Sequence, residues 1–328
     1  MTATATASRR QAMLRSAMGP AIAAALGDAR VIEIMVNPDG ALRLDILGEG
    51  RVDTALHLDP AQIERIIRLV ASQARSEVHG DRPIVSAELP AAEGAAGERF
   101  EGILPPVSPG PCFAIRKPAS RVFTLGDYVA AGTMSGSAAQ LLARAVTERR
   151  NILVVGGTSS GKTTLVNALL AEMGKLDERV ILIEDTRELQ CPAPDTIALR
   201  CRPGFVSIAD LVRSTMRLRP DRIIIGEVRG AEALDMLKAW NTGHPGGIAT
   251  IHANSAQAAL YRLEGLIQEA VVTVPRHLIA ETVDLVVFIA GRGMARRIAG
   301  IAAVTGFDPQ SGAYRFAEPY SFPDRQGD

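Results

Sequence analysis

Apolar and polar positions follow two different rhythms along this chain. From about Ser137 onward, short apolar runs ("NILVVG", "RVILIE", "TIALRC", "DRIIIGE", "GGIATIH" and "LVVFIA") alternate with longer stretches of helical spacing. Runs apolar at consecutive positions predict strands buried on both faces, and their alternation with helices predicts a largely parallel sheet covered on both sides. Upstream, "VIEIMVNPDGALRLDIL" alternates apolar and polar residues around Asn37-Pro38-Asp39-Gly40, which predicts a hairpin. "DPAQIERIIRLVASQAR" offers Asp59 as N-cap and Pro60 as the first helical residue, with Ile63, Ile66, Ile67 and Val70 on one face. Between Pro83 and Lys117, "RFEGIL" and "CFAIRK" read as short strands separated by Pro/Gly turns. The pattern predicts a small α+β domain over residues 9–120, a linker over 121–136 and an α/β domain over 137–328. Residues 1–8, "MTATATAS", predict a disordered tail, followed by a helix to about Leu26.

A length of 328 residues suits two domains, at roughly 150 residues each. Lys plus Arg and Asp plus Glu both number 36, so the chain lacks the basic excess expected of a protein that coats nucleic acid. Cys112, Cys191 and Cys201 form no CxxC pair, which excludes a disulfide framework and a four-cysteine zinc site and fits a reducing cytosol. No apolar run reaches the roughly 18 residues that span a bilayer, so any membrane association is expected to be peripheral. The short stretch "AMGPAIAAAL", approached through Arg15, reads as a helix of the mature protein and not as a signal peptide.

Within the second region, Gly156, Gly161, Lys162 and Thr163 match G-x-x-x-x-G-K-[ST] between a predicted strand and a predicted helix. Such a loop turns backbone N–H groups toward phosphates, and the following helix adds the positive end of its dipole. The predicted ATP cradle comprises Gly156, Gly157, Thr158, Ser159, Ser160, Gly161, Lys162, Thr163 and Thr164. Lys162 would reach the β- and γ-phosphates, and the Thr163 hydroxyl would bind Mg²⁺.

Acidic residues narrow the chemistry. The strand Ile223-Ile224-Ile225 ends in Gly226-Glu227; many P-loop enzymes carry Asp where Gly226 stands, so Glu227 is expected to hold Mg²⁺ through water or to polarise water. After "VILIE", Glu184 is the first choice for orienting the attacking water, whereas Asp185 and Glu188 read equally well as caps or ion-pair partners. His244 and His252 have neither helical metal-pair nor zinc-module spacing; γ-phosphate sensing and a purely structural hydrogen bond both stay open. Arg213 and Arg217 are predicted on one helix face beside Arg219 and Arg222, either solvated or directed at phosphates or a neighbouring subunit. Arg116, Lys117 and Arg121 lie at the end of the first domain, and a guanidinium donated from there could stabilise charge on a transferring phosphate in the manner of an arginine finger.

In order, "GGTSSGKTT", "LIEDTREL", "RLRPDRIIIGEVRG" and "NTGHPGGIATIHANS" resemble the Walker A, Asp box, Walker B and His box of the secretion traffic ATPases. "EIMVNPDG", "ERIIRLVAS", "FAIRKPASRVFTL", "LKAWNTGHPGG" and "EAVVTVP" resemble the conjugative-transfer branch of that family, and together the matches extend through nearly the whole chain. The resemblance implies a small α+β N-terminal domain followed by a RecA-like P-loop NTPase domain, with ATP between the two. It also implies a homo-hexameric ring on the cytoplasmic face of the inner membrane, working with channel proteins of conjugation or secretion. Carried over by position, it makes Lys162 and Thr163 the phosphate and Mg²⁺ residues, Glu184 the Asp-box acid, Glu227 the Walker B glutamate, and His244 and His252 the His box. Arg116, Arg121 and the Arg213/Arg217 group become candidates for linking domains or subunits through ATP. Ser159 stands where glycine is common in the family's loop. The four-cysteine module of many type II secretion ATPases is missing, which favours the conjugative branch.

The function this predicts is a Mg-dependent ATPase motor for conjugative DNA transfer, type IV secretion or pilus assembly. The alternatives are a type II secretion or pilus-retraction motor and an ATP-gated scaffold with little turnover. Neutral net charge argues against a helicase, and no lid or acceptor signature supports a small-molecule kinase. Direct contact with nucleic acid stays open.

Overall fold

Ala and Thr alternate through the first residues, and helix-favouring Ala with no Gly or Pro gives residues 3–8 nothing that interrupts a helix. In this computed structural model, which describes residues 3–90, 97–118, 121–202 and 204–321, they begin α1 (Ala3–Gly27). The expected disordered tail is thus helical from residue 3, and residues 1–2 lie outside the described residues. Helix α1 is broken at Gly19, with φ of 79°, just before Pro20, which lacks the N–H a continuous helix needs.

The chain divides into two units, residues 1–120 and 121–328. In the first, β1 (Val31–Val36) and β2 (Ala41–Ile46) form the hairpin around Asn37–Gly40, closed by Gly40 N–H donating to Asn37 O at 2.9 Å. Next come β3 (Gly50–His57), α2 (Pro60–Gln73), β4 (Ile84–Glu88), β5 (Arg99–Ile103) and β6 (Cys112–Arg116). The six strands pair antiparallel in the order β3-β2-β1-β6-β5-β4. Asp59 caps α2 by accepting from Ala61 N–H, with Pro60 in the first turn. Ile63, Ile66, Ile67 and Val70 are buried in one core with Leu14, Met18 and Ile22 of α1 and with Ile34, Phe100 and Ile115 of the sheet. Each such side chain contributes about 1.5–3 kcal/mol by leaving water.

In the second unit α3 (Leu125–Ala130) and α4 (Gly136–Thr147) precede β7 (Ile152–Gly156) and α5 (Lys162–Met173). They are followed by β8 (Arg179–Glu184), β9 (Asp195–Arg200), α6 (Ile208–Thr215), β10 (Arg222–Ile225), α7 (Glu232–Asn241) and β11 (Ile248–His252). The described chain closes with α8 (Ala256–Gln268), α9 (Arg276–Thr282), β12 (Leu285–Ala290), β13 (Arg297–Asp308) and β14 (Ala313–Ser321). The strand order is β14-β13-β12-β7-β11-β10-β8-β9. The six apolar runs pair parallel, and β13 and β14 extend the sheet as an antiparallel hairpin. On β7, Ile152 and Val154 enter the core with α3, α4 and α5, while Leu153 and Val155 enter the core with α6 to α9. Both faces are therefore covered, as continuous apolar runs require.

The segment 121–136 is not a free linker. Thr124 and Asp127 form a reciprocal capping box at the start of α3, and Leu125, Tyr128 and Met134 are buried against α4 and α5. It belongs to the second unit.

Candidate functional site

Strand direction brings the predicted chemistry to one edge of the parallel sheet. Gly156 ends β7, His252 ends β11 and stands opposite Gly156 in register, Glu184 ends β8, and Glu227 follows β10 by two residues. Open α/β sheets bind ligands at this carboxyl edge.

The phosphate-cradle loop is packed tightly where it leaves the strand. A β-carbon at Gly156 would stand 2.5 Å from the Ile289 carbonyl oxygen and 2.6 Å from Ser160 Oγ, so only glycine fits there. Ser159 takes φ of 60°, so the loop reaches the left-handed region with a side chain in place. Gly161, with φ of 95°, leads into α5, whose first residues are Lys162, Thr163 and Thr164. Lys162 is 8% exposed, and its Nζ donates to the carbonyls of Gly156 and Gly157 at 3.2 and 3.0 Å.

Lys162 Nζ also lies 3.3 Å from His252 Nδ1 and 3.4 Å from Nε2, while Nε2 stands 2.9 Å from Glu227 Oε1. Burial, then the Lys162 charge, holds the His252 pKa below its ordinary value, which keeps the ring neutral near pH 7. A carboxylate only accepts, so the ring proton sits on Nε2 and donates to Glu227, leaving Nδ1 to accept from Lys162. Arg229 Nη2 meets Glu227 Oε2 at 2.6 Å and Nη1 meets Asp185 Oδ2 at 2.7 Å. Burial raises the Glu227 carboxyl, but the Arg229 hydrogen bond and charge, with His252 and Lys162, outweigh it and hold the pKa below the usual value. These contacts form one chain: Lys162, His252, Glu227, Arg229, Asp185.

Glu184 is 3% exposed, and its Oε1 accepts from Glu188 N–H and Leu189 N–H at 2.9 and 2.8 Å. Burial pushes its pKa up to about 7 despite those two bonds. It lies against Gly226, where a β-carbon would stand 3.2 Å from its Cγ; the glycine in place of the common Asp leaves it room. Asn167 of α5 donates to Glu188 O and accepts from Gln190 N–H, so the loop after β8 is tied from two sides.

Other predicted residues go elsewhere. His244 precedes β11 at the opposite edge, where its Nδ1 lies 2.9 Å from Pro220 O. Arg222 is fully buried at the start of β10, with Nε 2.6 Å from Glu178. Arg213 pairs with Asp235 at 2.8 Å, and α6 ends at Thr215, so Arg217 does not share a helix face with it. Arg121 pairs with Asp127 at 2.5 Å and lies over the Phe123 ring. In the first unit, Arg116 ends β6 with its side chain exposed, and Lys117 donates to Asp28 O at 2.7 Å.

Sequence reasoning missed Arg229 and Asn167. Arg229 stands two residues from Glu227, but its reach to Asp185 depends on β8 and β10 being neighbours. Among the described residues, no group of three or more His, Cys, Asp or Glu could hold a metal ion. Mg²⁺ here would rest on the Thr163 hydroxyl, on Glu227 through water and on phosphate oxygens of the nucleotide itself, the usual habit of this ion.

This edge of a parallel sheet, with its phosphate-binding loop and facing acids, defines a P-loop nucleotide-binding protein. The sequence pattern described as type II/IV secretion system protein matches residues 51–297, and the chain belongs to that family. It is 47% identical over 296 residues to the conjugal transfer protein TrbB of Rhizobium radiobacter, covering 90% of each chain. It is 35% identical over 311 residues to the type IV secretion system protein PtlH of Bordetella pertussis, covering 83% of this chain and 89% of that one. Among solved structures, the pilus retraction motor PilT with bound ADP has a TM-score of 0.60 at 20% identity, over 89% of this chain and 80% of that one. The last likeness is one of fold.

Proposed function

We propose that the chain is a Mg-dependent ATPase that assembles into a hexameric ring and drives conjugative DNA transfer or type IV secretion. The observation that carries this reading is the chain of contacts from Lys162 through His252 to Glu227 beside the phosphate loop. It joins a phosphate-binding cation to the acid suited to polarising water, which is the machinery phosphoryl transfer to water requires. The kinship with TrbB and PtlH supports a conjugation or secretion channel as the object worked upon. In this reading the subunits sit at the cytoplasmic face of the inner membrane. Among the described residues no helix is long and apolar enough to cross a membrane, so contact with the bilayer would be peripheral. Arg116 and Arg121 are proposed to supply cations to bound ATP in the assembled ring, and Glu184 to orient water.

A second reading, an ATP-gated scaffold with little turnover, draws on one feature. Both Glu227 oxygens are engaged, one by His252 and one by Arg229, while Lys162 donates to loop carbonyls. Phosphate release measured against protein concentration, beside sedimentation with Mg-ATP, separates the two. The motor reading expects activity per subunit to rise as a large ring forms, and Lys162→Ala to abolish it. Tight ATP binding without turnover in the presence of lipid would leave the scaffold.

A further inference from the structure

The loop strand β7 has two neighbours. On the β11 side stand His252, Glu227 and Glu184; on the β12 side stands the connection of residues 291–296 between β12 and β13. That connection is built of a 3-10 turn, Gly293–Ala295, and is anchored just beyond by Ile298 N–H donating to Thr133 O at 2.9 Å. Arg296 leaves it toward the phosphate loop. A β-carbon at Gly161 would stand 2.9 Å from Arg296 Nε and 3.0 Å from Cζ, so the guanidinium lies across the glycine that introduces Lys162.

Among the described residues, Arg296 Nε is buried with no hydrogen-bond partner, and Arg296 pairs with no carboxylate. Ser160 Oγ in the loop and Tyr128 Oη, which feels the Arg296 charge, are likewise buried and unpartnered. A guanidinium that has lost water at a donor atom without gaining an acceptor is costly to keep. The cost is offset if an anion arrives, and the adjoining loop is built to receive one. The catalytic acids lie across β7, so Arg296 has no competing carboxylate on its own flank.

We propose that Arg296 is a second phosphate-binding cation of this site, holding the phosphate chain of the nucleotide from the flank opposite Glu227 and His252. The proposal rests on the loop being the nucleotide cradle. Its guanidinium fork suits two phosphate oxygens at once, which a lysine does not reproduce.

The test is titration of the full-length protein with ADP and with inorganic pyrophosphate, for the parent, Arg296→Met and Arg296→Gln, beside melting without ligand. Met keeps the aliphatic stem against Gly161 and removes the charge. The expected result is a loss of about tenfold or more for both ligands, the scale of one charge-assisted hydrogen bond, with unliganded melting no lower than the parent's and raised where the unpaired donor was costly. Parent-like affinity in the Met variant would overturn the proposal, because a packing role for the stem would then suffice. A loss for ADP with none for pyrophosphate would also overturn it, placing the contact on the nucleoside. If the Met variant fails to fold, the Gln variant decides on the same terms. A parent that binds neither ligand would instead remove the nucleotide reading beneath it.

Discussion

At the carboxyl end of the parallel strands, His252 and Arg229 meet Glu227, Lys162 and Asp185 through side chains that keep partial access to solvent. At the amino end, His244 and Arg222 meet the Pro220 carbonyl and Glu178, with the arginine wholly enclosed. The residue types are the same and their uses differ. At one end the charges pair with one another at the partly open carboxyl edge; at the other they pair inside a closed structure, where Arg222 Nη2 is left without a partner among the described residues. Arg149 and Arg222 share Glu178, and Asn151 accepts from Gly246 and Gly247 N–H, so the contacts of the amino end run between elements of the fold.

Substitutions at the two ends should therefore fail in different ways. Glu227→Gln removes the charge beside Lys162 and His252 and is expected to lower hydrolysis on the order of 10²-fold or more while ATP still binds; phosphate release beside nucleotide titration checks it. Arg222→Met leaves Glu178 with Arg149 as its remaining partner and should cost about 1.5–3 kcal/mol of stability, read by urea unfolding, with hydrolysis per folded subunit retained. A loss of hydrolysis at full stability in Arg222→Met would break the contrast.

Glu184 sharpens it. Burial raises its pKa to about 7 in the fold from 4.5, so the fold favours the protonated form. That stabilisation is fully present below about 4.5 and is lost as pH rises through about 7. If the carboxylate orients water, hydrolysis rises across the same interval, and Glu184→Gln should flatten the rise while melting higher than the parent at pH 8. The smallest effect is expected for His244→Ala. With no contact to the phosphate loop in its own subunit, it should change hydrolysis by less than about twofold, and a loss matching His252→Ala would argue for a role across subunits.

Much of the fold was legible in the chain. Consecutive apolar residues named the six parallel strands, and Asp59-Pro60 and Asn37–Gly40 named a helix start and a hairpin. The β13–β14 hairpin was not foreseen, for its partly buried residues and glycines blur the alternation that would announce it. The segment 121–136 read as a linker because its three buried residues, Leu125, Tyr128 and Met134, are spread among Gly, Ser and Thr. In the site, the glycine-rich turn from β7 into α5 was legible because its spacing and its flanking apolar runs mark it. The use of each arginine was not: Arg229, Arg222 and Arg296 look alike in a sequence, and only strand order and direction separate a clamp, a core ion pair and a loop contact.

Asn167 carries a mechanical consequence. Its amide grips the loop after β8 at Glu188 and Gln190 from within α5, the helix that starts at Lys162. Helix and loop thus behave as a tie rod: any tilt of α5 that follows a change at the phosphates must carry the Glu188–Gln190 segment with it or break both bonds. While both bonds hold, a displacement at either end is shared by the other.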